Sequence, residues 1–149
     1  NTFTANAVGK SLFYSKLSPT RLTIADDSGL MVDALDGKPG VLSARYSGIN
    51  ATDKKNNKKL LQELSAYKDR SAKFTTIVSI ALNGELIKTF EGEVKGKILL
   101  EPRGNSGFGY DPLFYYTPLE KTFAELSIKI KNNISGEVEG IQCEIDLKN

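Results

Sequence analysis

The sequence predicts an α/β or α+β domain rather than an all-β one, and three observations carry that expectation. Residues 4–16 place Ala5, Val8, Leu12 and Phe13 on one helical face. Residues 52–65 repeat the helical spacing with Leu60, Leu61 and Leu64 inward, behind Thr52 as a capping residue. Between two long extended segments stands Asn83-Gly84, the strongest short-range hairpin signal.

The elements follow in order. The first helix ends at Ser18-Pro19, because proline disfavours helix in the residue before it. Arg21 to Ala25 reads as a short strand and Leu30 to Ala34 as another. Asp36-Gly37-Lys38-Pro39-Gly40 is a turn-rich loop. Residues 72–82 form a long strand, and Glu85 to Lys95 returns beside it. Pro102 to Gly109 is a glycine-rich loop leading into a strand through Leu113-Phe114-Tyr115. A final helix falls between Thr122 and about Ser135.

Composition bounds the chemistry. The chain has 149 residues, 40% hydrophobic and 26% charged, enough for one domain with a real core. It contains no histidine, which excludes a histidine-based triad, histidine-ligated zinc and a histidine proton shuttle. Cys143 is the single cysteine, so no internal disulfide or cysteine cluster forms. No apolar run approaches the roughly 20 residues of a membrane span. The net charge of +2 is too small to argue for nucleic acid. Lys54, Lys55, Lys58 and Lys59 read as a solvated helical stripe without interleaved aromatics. One cysteine and no targeting segment fit a reducing cytoplasm.

Two segments could carry chemistry. In Ala25-Asp26-Asp27-Ser28-Gly29-Leu30, adjacent carboxylates on extended chain point opposite ways. One can then face a cleft as a magnesium ligand or general base. The alternative is an acidic turn whose aspartate caps the next amides. In Gly104-Asn105-Ser106-Gly107-Phe108-Gly109-Tyr110-Asp111-Pro112, glycines permit close approach of backbone to ligand. Phe108 and Tyr110 could stack on a base, and Asp111 could accept from a ring N–H. The alternative is a loop with its aromatics folded into the core. It is not a Walker loop, because no Gly-Lys-Ser/Thr follows. Lys10, Arg45, Lys121 and Lys131 lie on separate elements and could converge on a polyphosphate, although each alone reads as a surface residue.

In order, these segments resemble one family. The first block is Ala25-Asp26-Asp27-Ser28-Gly29-Leu30, Val32-Asp33-Ala34-Leu35, Pro39-Gly40-Val41 and Ser43-Ala44-Arg45-Tyr46-Ser47-Gly48. The second is Phe108-Gly109-Tyr110-Asp111-Pro112-Leu113-Phe114. The third is Lys121-Thr122-Phe123-Ala124-Glu125-Leu126 with Lys131-Asn132-Asn133-Ile134-Ser135. Thr2-Phe3, Asn6-Ala7 and Lys10 match the helix before the first block. Together they resemble the inosine/xanthosine triphosphate pyrophosphatase family.

The resemblance implies an α/β fold: a two-lobed sandwich around a long, twisted mixed sheet, with the nucleotide in a cleft between the lobes. It implies cleavage of ITP, dITP or XTP between the α and β phosphates, with Mg2+. Asp27 is then the metal ligand and the base for the attacking water, with Asp26 beside it. Ser28, Phe108, Gly109, Tyr110 and Asp111 contact substrate, and Lys10 and Lys131 neutralise phosphate. Asp111 accepts from the purine N1–H that adenine lacks; guanine has it, so Asp111 alone does not exclude guanine. The family is commonly a homodimer, with a surface partly near Ser43 to Tyr46 and the following helix. Neither nucleic acid nor membrane is an expected partner.

The sequence also departs from the family. The family's opening strand, its phosphate loop and a metal-binding glutamate precede the point where this chain begins. The chain therefore reads as one truncated pyrophosphatase domain over residues 1–149. After Ser135 the family has His-Arg-Gly, whereas this chain has Gly136-Glu137-Val138-Glu139-Gly140. Residues 136–149 are expected to be a divergent tail or the product of a frameshift. An impaired nucleotide-binding relative, or a dimerising module without turnover, is the alternative function.

Overall fold

The computed structural model describes residues 2–136, so the expected tail beyond Gly136 lies outside the described residues. Helix α1 is Phe3–Leu17, and the Thr2 hydroxyl caps it by accepting from the Ala5 N–H at 3.1 Å. Strands β1 (Thr23–Val32), β2 (Ser71–Leu82), β3 (Glu85–Ile98), β4 (Phe114–Tyr116) and β5 (Lys121–Thr122) form one sheet. Helix α2 (Asp53–Glu63) lies between β1 and β2, and α3 (Ile128–Gly136) follows β5. The α/β class is as expected.

The strands pair in chain order and every described pairing is antiparallel. The mixed sheet implied by the resemblance is therefore not present among the described residues. A parallel neighbour needs a long crossover, and here each strand lies beside its predecessor. The β2–β3 turn is the expected one. Asn83 and Gly84 have φ of 49° and 78°, the positive values a type I′ turn requires.

The sheet has two differently covered faces. On one face α1 approaches through small residues, because Ala7, Ser11 and Ser15 form its buried stripe. The Ser11 and Ser79 hydroxyls meet at 2.7 Å. This corrects the expected face of α1, since Phe13 is exposed and Val8 and Leu12 only half-buried. Serines serve as core residues here because local carbonyls, Ser79 and the Gly84 N–H satisfy their hydroxyls. On the other face, Leu30, Val32, Leu60, Leu64, Ile98 and Phe114 build the hydrophobic core. Leu60 and Leu64 are inward as expected, one turn apart on α2.

One further expectation changes. The short strands at 21–25 and 30–34 are one strand, β1, running through Asp26-Asp27-Ser28-Gly29. Pairing of Asp27, Ser28 and Gly29 with Ile77, Thr76 and Thr75 overrides the local turn tendency of Asp-Ser-Gly. The final helix falls within the expected span: Thr122 ends β5 and opens a capping-box turn at Phe123–Glu125, and α3 begins at Ile128.

Candidate active site

Because β1 is extended, its successive side chains alternate between the faces. Asp27 turns toward α1. Its Oδ2 accepts from the Asn6 amide at 2.9 Å, and the Lys10 ammonium stands 3.6 Å from Oδ1. Lys10 also donates to the Asp26 carbonyl. Ser28 and Gly29 border a cavity of about 380 Å³. Asp26 is exposed and accepts at most a long bond, 3.5 Å, from the Ser28 hydroxyl. The acidic-turn reading is thereby excluded, because both carboxylates sit on a paired strand with opposite outlooks. Gly29 is required by space: a Cβ there would stand 2.5 Å from the Gly40 carbonyl and 2.6 Å from Ser43 Oγ.

The cavity lies against the core face of the sheet. Phe74, Thr76, Gly92 and Val94 contribute to its lining from β2 and β3. Phe108, Gly109, Tyr110 and Asp111 border it from the glycine-rich loop, and Lys131 from α3. Ser28 and the loop, 80 residues apart in sequence, therefore share one space. The Phe74 and Phe123 rings stack nearby at 5.8 Å with 6° between their planes.

Within the loop the roles divide. Phe108 is 77% exposed, so its ring is available to a ligand. Asp111 is buried, and its Oδ2 receives both the Lys131 ammonium and the Phe108 N–H, the latter at 3.0 Å. Lys131 Nζ also lies 4.5 Å from the Phe108 ring centroid, a cation–π distance. Lys131, expected to neutralise phosphate, is thus held on Asp111, the carboxylate expected to accept from the base. Tyr110 differs from the stacking residue anticipated. It is a core residue, and its hydroxyl donates to the Ser43 carbonyl at 2.8 Å. Burial first, and then the charge of Asp53, push its phenol well above the usual tyrosine range. It remains a neutral donor at physiological pH.

Arg45 and Lys121 do not join the group. Both are exposed and neither borders the cavity. Lys55 and Lys59 are tied to the carbonyls of Asn50 and Tyr46, so half of the lysine stripe on α2 has local partners. Among the described residues, no three Asp, Glu, His or Cys side chains cluster as metal ligands. The donor set at β1 is a single carboxylate, Asp27. That suits a hard cation which takes one protein carboxylate and fills its shell from phosphate oxygens and water. No helix among the described residues is long and apolar enough to cross a membrane.

Sequence reasoning passed over three contributors. Asn6 was visible beside Lys10 but carried no role until α1 was seen to lie over Asp27. Asp53 and Asn57 of α2 bond the Gly109 backbone. Their four-residue spacing was legible, but not which loop their helix face meets.

An open antiparallel sheet, with a helix over one face and a ligand-sized cavity on the other, defines a cleft-bearing α/β protein. Its sequence places it further: residues 1–142 match the Ham1 family model, and the chain belongs to that family. It is 56% identical over 133 residues to the dITP/XTP pyrophosphatase of Desulfotalea psychrophila, spanning 89% of this chain and 59% of that one. It is 43% identical over 144 residues to the dITP/XTP pyrophosphatase of Bacillus subtilis, spanning 95% and 72%. The solved Ham1 protein of Staphylococcus aureus superposes with a TM-score of 0.84 at 43% identity, covering 93% of this chain and 69% of that one.

Proposed function

We propose that this protein hydrolyses noncanonical purine nucleoside triphosphates (ITP, dITP and XTP) to the monophosphate and pyrophosphate. The observation that carries the reading is the shared cavity. One space holds an exposed aromatic ring, a buried carboxylate and a lysine, and it is bordered by the residue next to Asp27. Family membership and relatives named dITP/XTP pyrophosphatase support the same chemistry.

In this reading the roles are those the family resemblance implies. Phe108 offers a free face for purine stacking. Asp111 keeps a second oxygen to accept from the N1–H of hypoxanthine or xanthine. Adenine lacks that hydrogen and would leave the acceptor unpaired. Ser28 contacts substrate where the cavity meets β1. Asp27 takes the proton as water attacks the α-phosphorus; the α–β bridging bond breaks and pyrophosphate leaves. Lys10, beside Asp27, offsets negative charge on the phosphates. Asp27 would also hold Mg2+, which neutralises charge on the phosphate oxygens.

Release of pyrophosphate from inosine triphosphate with magnesium, set against Asp27→Asn, tests this reading. Turnover at least about a hundredfold above the variant is expected for loss of a base. Turnover no greater than that of the variant overturns it, and thermal stabilisation by the nucleotide would then mark a binding module. We further propose a cytoplasmic homodimer using the Ser43–Tyr46 segment. The exposed apolar side chains of Leu42 and Ile49 beside it support that face, and sedimentation tests it.

A further inference from the structure

We propose that Asp53 and Asn57 of α2 are positioning residues for purine recognition, fixing the backbone on which Phe108 is carried. The proposal rests on the nucleotide reading above. It begins from an asymmetry at Phe108. The ring is 77% exposed, with the Lys131 ammonium 4.5 Å from its centroid. A ring so little packed takes its direction from its own backbone.

That backbone is held on both sides. The N–H of the peptide before Phe108 donates to Asp111 Oδ2 at 3.0 Å. The N–H of the peptide after it, that of Gly109, donates to Asp53 Oδ2 at 2.7 Å. Two carboxylates from different elements thereby fix the peptide planes on either side of Phe108, and with them its φ and ψ. The Gly109 carbonyl accepts from the Asn57 amide at 2.9 Å. Asp53 and Asn57 are four residues apart, so they project from one face of α2.

Gly109 is the point that needs such a grip. Its φ is +61°, a left-handed value suited to glycine, and beyond its chain neighbours no atom of the described residues lies within 4 Å of where a Cβ would stand. Side-chain packing does not hold this residue; its backbone bonds do. Asn57 Oδ1 is buried and has no hydrogen-bond partner among the described residues. Nδ2 is therefore committed to Gly109 while the other end of the same amide goes unmatched, an arrangement that calls for an explanation. The platform beneath is firm, since α2 buries Asn56 and Leu60.

Amide hydrogen exchange and calorimetry with inosine triphosphate test the proposal on Asp53→Ala, Asn57→Ala and Asp53→Asn. Asp53→Ala also removes a first-turn carboxylate of α2, so Asn57→Ala, a turn further in, serves as the second variant. Each alanine variant should speed exchange at Phe108 or Gly109 and weaken inosine triphosphate by about tenfold, with the urea midpoint close to that of the wild type. Asp53→Asn, which keeps an acceptor oxygen, should restore most of the affinity. Unchanged exchange, or faster exchange with unchanged affinity, overturns the proposal. So does a loss of affinity matched by a loss of global stability. If the wild type has no affinity for inosine triphosphate, the proposed function falls and the positioning role with it; if it binds and the variants bind equally, only the positioning role falls.

Discussion

Lys131 closes over Asp111: a lysine side chain that is 16% exposed sits on an aspartate side chain that is 4% exposed, and the pair joins α3 to the glycine-rich loop. Removing one partner of such a pair leaves a charge with little access to water. Lys131→Met should therefore lower stability by about 3 kcal/mol. Adding Asp111→Asn to it should recover most of the loss, because the stranded charge is gone. Urea unfolding of the single and double variants measures both effects.

Phe108 contributes little to folding at its present exposure. Phe108→Ala should leave the unfolding midpoint within about 0.5 kcal/mol of the parent. Loss of stacking worth about 1–3 kcal/mol should weaken inosine triphosphate by roughly 5- to 150-fold. Calorimetric titration distinguishes this from a structural defect.

Gly29 is fixed by space rather than by turn geometry. Gly29→Ala would drive a methyl against the Gly40 carbonyl and Ser43 Oγ, at 2.5 and 2.6 Å before any movement. Ser43 is itself committed, accepting from the Leu30 N–H at 2.9 Å and donating to Gly40. A loss of about 1–3 kcal/mol is expected, read from thermal unfolding.

Glu93 gives the acid side of stability a definite sign. Its bond with the Lys73 ammonium, 2.6 Å long, holds its carboxyl below the ordinary glutamate value. Its contribution is therefore complete above that ordinary value and is lost as pH falls through the lower, folded one. Lys73 is raised by the same bond. Its contribution is complete below the ordinary lysine value and is lost only as pH rises through the raised one. Glu93→Gln should flatten the decline in unfolding midpoint between neutral pH and about pH 3. Both groups are one-third exposed, so the change should be modest and should shrink with salt.

How much was legible in the sequence varies with the kind of interaction. The Asn83-Gly84 turn, the Thr52 cap and the Leu60–Leu64 face were readable because local chemistry decides them. From sequence β1 reads as two strands because the Asp-Ser-Gly tendency to turn is local, whereas pairing with β2, nearly 50 residues on, is not. The serine face of α1 was hidden for a similar reason, since Ser11 becomes a core residue only when Ser79 meets it. At the site, Phe108, Asp111 and Lys131 were named and are together. Their mutual bonds, and the reach of α2 to Gly109, depend on tertiary placement that no spacing encodes.

The β2–β3 turn is not a free tip. The Gly84 N–H donates to Ser15 Oγ at 2.9 Å, and a Cβ on Gly84 would stand 2.5 Å from the Lys16 side chain. Hairpin tips are ordinarily where a tag, a linker or a split point is tolerated. Here an insertion at residues 83–84 would pull on the last turn of α1, the helix whose first turns carry Asn6 and Lys10 to Asp27. Engineering of this scaffold should therefore leave the hairpin sealed and splice at the exposed Tyr67-Lys68 connection instead.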